Sequence, residues 1–259
     1  MTWLNTSVHS GFARSASEAM FPRLFPDAGW WCPSLNPAMG GTRLWDLSRG
    51  NWGTLTSMDP ATDWVVSGGK GALDFDGSND RVATTSVSTT MSTGFTVNFW
   101  LKARNTGGMV LGDSSNNVTH IRLLGTTTAT SLRVAVGTYI FDLFASSRNT
   151  QDWSVITVVG LRTTVAWYYN GLLVESATNA AASSGGMVVN TIGTGAASPL
   201  FFDGQLDDIR IYSRALTAGE VRQLWQIGRG NMPLRRRRRY TEQAAGGNRR
   251  RRVLLGAEC

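Results

Sequence analysis

At 259 residues, with 42% hydrophobic residues and 10 Trp, 10 Phe and 5 Tyr, the chain can bury a full core, which excludes a disordered protein. Its net charge of +7 is uneven: residues 229–259 hold 10 Arg against Glu242 and Glu258, leaving 15 basic and 16 acidic groups in residues 1–228. The basic character therefore belongs to a tail, and two cysteines, Cys32 and Cys259, cannot build the dense disulfide framework of a small secreted domain.

The N-terminus lacks a basic start followed by an apolar run, so no export signal is expected. No apolar stretch approaches the roughly 18 residues of a membrane helix. Residues 1–28 read as an arm, with a short helix expected around Ser15–Met20 and broken by Pro22 and Pro26. From Gly29 onward, short apolar runs alternate with Gly, Asn, Asp and Ser, the pattern of an all-β domain.

Period-two alternation predicts strands over Phe95–Leu101, with Phe95, Val97 and Phe99 on one side, and over Leu132–Val136. Strands follow at Trp153–Val159 and Val165–Tyr169, the latter running through Asn170-Gly171 into Leu172–Glu175. Asn-Gly between two such runs predicts a tight type I′ hairpin, because both central residues need positive φ. A last strand is expected over Leu206–Tyr212, followed by a capping box, Thr217-Ala218-Gly219-Glu220. Val221, Leu224 and Trp225 would seat one short helix on the sandwich, with Gly228 stopping it.

These segments carry a family resemblance. Ala72–Val82, Phe95–Lys102, Asn170-Gly171 and Phe202–Leu216 resemble, in order, successive strands of laminin-G-like domains in the concanavalin A-like lectin/glucanase superfamily. The resemblance covers residues 29–228 and implies a two-sheet antiparallel jelly roll of some 12 to 14 strands, with the first and last side by side. It also implies glycan or protein binding, sometimes through calcium, in settings that include secreted enzymes, extracellular matrix and tailed-phage virions.

Hydrolases sharing such a sandwich need two facing carboxylates, and no Glu-x-Asp-x-x-Glu is present. Residues 1–228 contain only Glu18, Glu175 and Glu220 among glutamates, so no enzymatic activity is expected. His9 and His120 stand alone, without metal-ligand spacing. Asp76 and Asp80 share a turn, while Asp203, Asp207 and Asp208 fall on the strand that the family places beside it. The five are a candidate calcium site, or else turn caps and buried hydrogen-bond acceptors. Trp30, Trp31 and Trp52 are candidate platforms for sugar stacking, or else core residues.

Arg235, Arg236, Arg237, Arg238 and Arg239, with Arg249, Arg250, Arg251 and Arg252, form two like-charged blocks that call for an acidic partner. The expected whole is a non-catalytic jelly roll over 29–228, anchored by the arm 1–28 and the arginine tail 229–259 to an acidic protein shell. The setting would be a virion, assembled in the host cytoplasm, with homo-oligomerisation and glycan adhesion as accompanying expectations. The alternatives are a secreted or surface lectin module and, through the tail, a nucleic-acid-associated protein.

Overall fold

The computed structural model describes residues 26–31, 40–115, 118–195 and 200–229. The strands are β1 (Gly29–Trp31), β2 (Arg43–Trp45), β3 (Trp52–Thr56), β4 (Trp64–Ser67), β5 (Lys70–Asp76), β6 (Arg81–Thr90), β7 (Phe95–Ala103) and β8 (Met109–Gly112). They continue as β9 (Thr119–Thr126), β10 (Ala129–Val136), β11 (Tyr139–Arg148), β12 (Ser154–Leu161), β13 (Thr164–Tyr169), β14 (Leu172–Thr178), β15 (Gly186–Ile192) and β16 (Asp203–Tyr212). A helix, α1 (Ala218–Arg229), follows the last strand.

The strands form two antiparallel sheets of eight. The first runs β14-β13-β12-β7-β16-β5-β4, with β1 also paired to β16; the second runs β11-β10-β9-β8-β15-β6-β3-β2. The first and last strands are indeed neighbours, with Gly29 opposite Ile211 and Trp31 opposite Ile209. Strand β16 changes partner along one edge: Asp203–Leu206 faces β5 and Ile209–Ile211 faces β1.

Alternation builds the core between the sheets. Phe95, Val97, Phe99 and Leu101 of the first sheet meet Leu132, Val134, Val136, Ile121, Leu123 and Phe141 of the second, with Trp167 fully buried among them. Each such side chain contributes about 1.5–3 kcal/mol of burial free energy. The Asn170-Gly171 hairpin forms as expected, with φ of 52° and 79° at its two central residues.

Helix α1 covers the outer face of the first sheet. Val221, Leu224 and Ile227 pack with Leu216 onto Val159, Tyr168 and Tyr212. The capping box is present: the Glu220 amide donates to Thr217 Oγ1 (3.3 Å), and the Thr217 amide donates to Glu220 Oε2 (2.8 Å). Arg214 adds two hydrogen bonds to the same carboxylate, at 3.1 and 2.8 Å, and with the Thr217 groups it holds Glu220 well below its ordinary range, at about 2. Gly228 does not end the helix; it lies in its last turn, where a Cβ would sit 2.6 Å from the Trp100 ring. The glycine permits the helix to press onto the sheet rather than stopping it.

The arm's expected helix around Ser15–Met20, the tail residues Arg235–Arg239 and Arg249–Arg252, Cys32 and Cys259 lie outside the described residues.

Candidate functional site

The five aspartates grouped by sequence take separate roles. Asp76 caps its own turn, accepting from the amides of Ser78 (2.8 Å) and Asn79 (3.3 Å), and the Ser78 bond does most to hold its carboxyl below the usual value. Asp80 accepts from the Asp76 amide (2.9 Å) and is nearly buried, so desolvation, with the neighbouring acids, pushes its carboxyl up to about 6. Asp203 lies opposite Asp76 in register and is bound by Arg104 Nε at 2.7 Å, while the other arm of Arg104 holds Asp74.

Asp207 and Asp208 are drawn elsewhere by a bulge in β16. The register against β7 shifts between Asp207 and Arg210, and Asp208 adopts φ of 51°. The bulge falls where β16 exchanges β5 for β1, and it turns both carboxylates toward buried cations. Asp207 lies 3.7 Å from Lys70 Nζ, which sits 3.7 Å from the centroid of Trp100; Asp208 takes two hydrogen bonds from Arg210, at 2.9 and 3.0 Å. Strict alternation would put Asp207 on the side of Ile209 and Ile211; the bulge instead sets it opposite Trp100 on the other side.

Among the described residues, no three His, Cys, Asp or Glu side chains converge to hold a metal ion. Calcium takes six to eight oxygens, and these five carboxylates are divided between a turn cap, a desolvated acceptor and three ion pairs. Of the two readings the sequence left open for these aspartates, the side-chain geometry matches turn caps and buried, partnered carboxylates.

The second sheet's outer face is built differently. One register row crosses all eight strands: Arg43, Thr54, Ala83, Thr191, Gly112, His120, Ala135 and Ile140. Their sequence neighbours Leu44, Leu55, Val82, Ile121, Val134 and Phe141 point into the core, so this row points out. The ends of the row, Arg43, Thr54, Ala83 and Ile140, are exposed, whereas Thr191, Gly112, His120 and Ala135 at its middle are buried.

At its β2–β3 end stands a pair of tryptophans. Trp45 and Trp52 are directly paired in register, their rings 5.7 Å apart at 60°. The connecting hairpin is fixed by Asp46, which accepts from the Ser48 amide (2.9 Å) and hydroxyl (2.7 Å), and by backbone bonds Asp46 N to Asn51 O and Gly50 N to Asp46 O (both 2.9 Å). Trp52 remains 44% exposed although it is among the largest side chains. The Arg43 guanidinium lies over its ring, 4.7 Å from the centroid.

The carboxylates described on this face are engaged: Asp142 receives two hydrogen bonds from Arg133, at 2.6 and 2.8 Å, and Asp113 is bound by Ser115 and Asn190. The face therefore offers an aromatic platform with polar edges, the chemistry of binding a ring with an apolar side and hydroxyl rims. The sequence singled out Trp52 as a candidate; its pairing with Trp45 and its contact with Arg43 follow from the hairpin register. Trp30 and Trp31 lie on β1 by backbone, and their side chains lie outside what the structure describes.

Geometry and topology together define a concanavalin A-like sandwich with a helix packed on one outer face and an exposed tryptophan near the edge of the other. The family comparison agrees: residues 76–222 match the Laminin_G_3 model, described as the concanavalin A-like lectin/glucanases superfamily, and the chain belongs to that family. No curated protein sequence matches the chain.

Similar solved structures include domain 4 of an extracellular arabinanase from Geobacillus stearothermophilus, in complex with arabinotriose (20% identity, TM-score 0.57, 77% of this chain and 98% of that one). The botulinum neurotoxin serotype G binding domain is also similar (18% identity, TM-score 0.53, 78% of this chain and 51% of that one). So is the binding domain of Paraclostridial mosquitocidal protein 1 (17%, 0.52, 78% and 52%). This chain spans about half the length of the two toxin domains, and at these identities the likeness is one of fold.

Proposed function

We propose that this protein is a non-catalytic carbohydrate-binding module whose ligand lies on the outer face of the second sheet, stacked at the Trp45–Trp52 pair. The observation that carries the reading is the exposed indole of Trp52, held by a fixed hairpin near the edge of the second sheet. Family membership supports it, as does the arabinotriose bound to a domain of the same fold. Fold alone does not choose a function, so the weight rests on the site.

The module would be displayed by a larger assembly of virion type. Residues 229–259, with their excess of arginine, would fasten a near-neutral domain to an acidic protein surface. A glycan array with wild type and Trp52→Ala tests the binding reading, since loss of every saccharide signal in the variant is expected and undiminished binding contradicts it. Deleting 229–259 tests the anchoring: saccharide binding should persist while incorporation into the assembly fails. Lost DNA binding as the sole effect would favour the nucleic-acid alternative.

A further inference from the structure

We infer that the saccharide held at Trp52 is acidic, and that Arg43 reads its carboxylate. This rests on the stacking reading above and adds the chemical class of the ligand.

The first support is what Arg43 lacks. It is exposed, and it forms no ion pair with any described carboxylate. Arg104 holds Asp74 and Asp203, Arg133 holds Asp142 and Arg214 holds Glu220, whereas Arg43 shares with Arg49, Arg81 and Arg222 the lack of an ion pair to any described carboxylate and differs from them in its ring contact. Arg43 instead lies against an indole.

The second support is how it lies there. A guanidinium packed on an aromatic face is held in one orientation, yet its N–H groups stay in the plane of the fork and free at its rim. A carboxylate arriving beside the ring can then be met by two parallel N–H bonds at small entropic cost. A neutral sugar offers these N–H groups only hydroxyl oxygens, without the charge-assisted, two-pronged partner that a carboxylate supplies.

The third support is the charge of the surroundings. Strands β2, β3 and β6 read RLW, WGTLT and RVATTSVSTT, and none contains an acidic residue. Thr54 lies between Arg43 and Ala83 in register, and Thr56 lies opposite Arg81. Arg81 alternates with the core residue Val82, so it shares the outward side with Arg43, at roughly 12 Å by strand spacing and rise. Arg43 and Arg81 border the platform, and the hairpin carboxylate, Asp46, is buried and held by Ser48, a field that favours a carboxylated glycan over a neutral one.

The test uses calorimetry at low ionic strength on the full chain, with an oligogalacturonate and a sialyllactose as probes and the carboxyl-reduced form of each as control. Wild type should bind at least one acidic probe about tenfold more tightly than its reduced counterpart, the scale of one bidentate charge-assisted pair. In Arg43→Gln that ratio should fall toward one, and added salt should shrink it in wild type. Both positions are surface sites, so melting curves confirm that the variants fold.

Equal affinity of wild type for acidic and reduced probes would overturn the inference, as would an unchanged ratio in Arg43→Gln or no binding of either acidic probe. Each of those results leaves the platform reading standing if Trp52→Ala still loses array binding. Retention of binding to all probes by Trp52→Ala would instead sink the platform reading itself.

Discussion

The outer face of the first sheet carries Trp100, Lys70 and Asp207, all buried, with Gly228 of α1 against the Trp100 ring, while the outer face of the second carries a half-buried Trp45 beside an exposed Trp52 and Arg43. Both faces pair a cation with an indole. On the first sheet Lys70 and its carboxylate are almost wholly buried, and their attraction serves cohesion. On the second sheet Arg43 is exposed and forms no ion pair with a described carboxylate. The same side-chain chemistry holds the fold together where it is buried and forms the surface of the proposed site where it is exposed.

The comparison breaks most visibly at the buried pair. Asp207→Ala deprives the buried Lys70 of this carboxylate and should cost about 3–5 kcal/mol in urea unfolding. The double change Lys70→Met with Asp207→Leu should recover most of that loss, and a single variant as stable as wild type would show that the pair holds nothing together.

The hold of α1 on the first sheet is weaker at its edge. Glu220→Gln removes the carboxylate shared by Arg214 and the capping box, for an expected loss of about 1 kcal/mol at neutral pH. Because the folded value of Glu220 is depressed to about 2, its contribution is present above the ordinary glutamate range and fades as pH falls through it toward 2. The variant should lack that acid-side loss.

Asp80 has the opposite sign. Its folded value of about 6 lies above its ordinary one, so the folded chain binds the extra proton. Stability should decline as pH rises from about 4 to 6 and level off beyond. Asp80→Asn keeps an acceptor for the Asp76 amide, and it should flatten that decline and raise the melting temperature by a few degrees at pH 7.5. A variant whose melting profile still falls between pH 4 and 6 would place the titration elsewhere.

Trp52→Ala is the smallest stability change of the set. A half-exposed edge residue should shift unfolding by no more than about 0.5 kcal/mol beyond its contact with Trp45, although the array signal disappears.

Much of this fold was readable from local pattern. Phe95–Leu101 and Leu132–Val136 alternate because one side meets the core, Asn170-Gly171 specifies its own turn, and Thr217 and Glu220 mark a helix start within four residues. What escaped depends on distant partners. The bulge at Asp207 and Asp208 arises where β16 passes from β5 to β1, strands drawn from far earlier in the chain, so no local signal announces that the acids turn toward Lys70 and Arg210. Gly228 reads as a helix stop until the Trp100 ring beneath it is known. The Trp45–Trp52 pair needs the hairpin register, and Arg43 becomes part of the site only because β2 lays it across the ring.

The most direct test is the indole N–H region of a proton–nitrogen correlation spectrum during titration with the acidic saccharide. The account predicts that the Trp45 and Trp52 resonances move together and saturate with the calorimetric affinity, while those of Trp100 and Trp167 stay in place. A titration that moves Trp100 or Trp167 and leaves Trp52 still would contradict it.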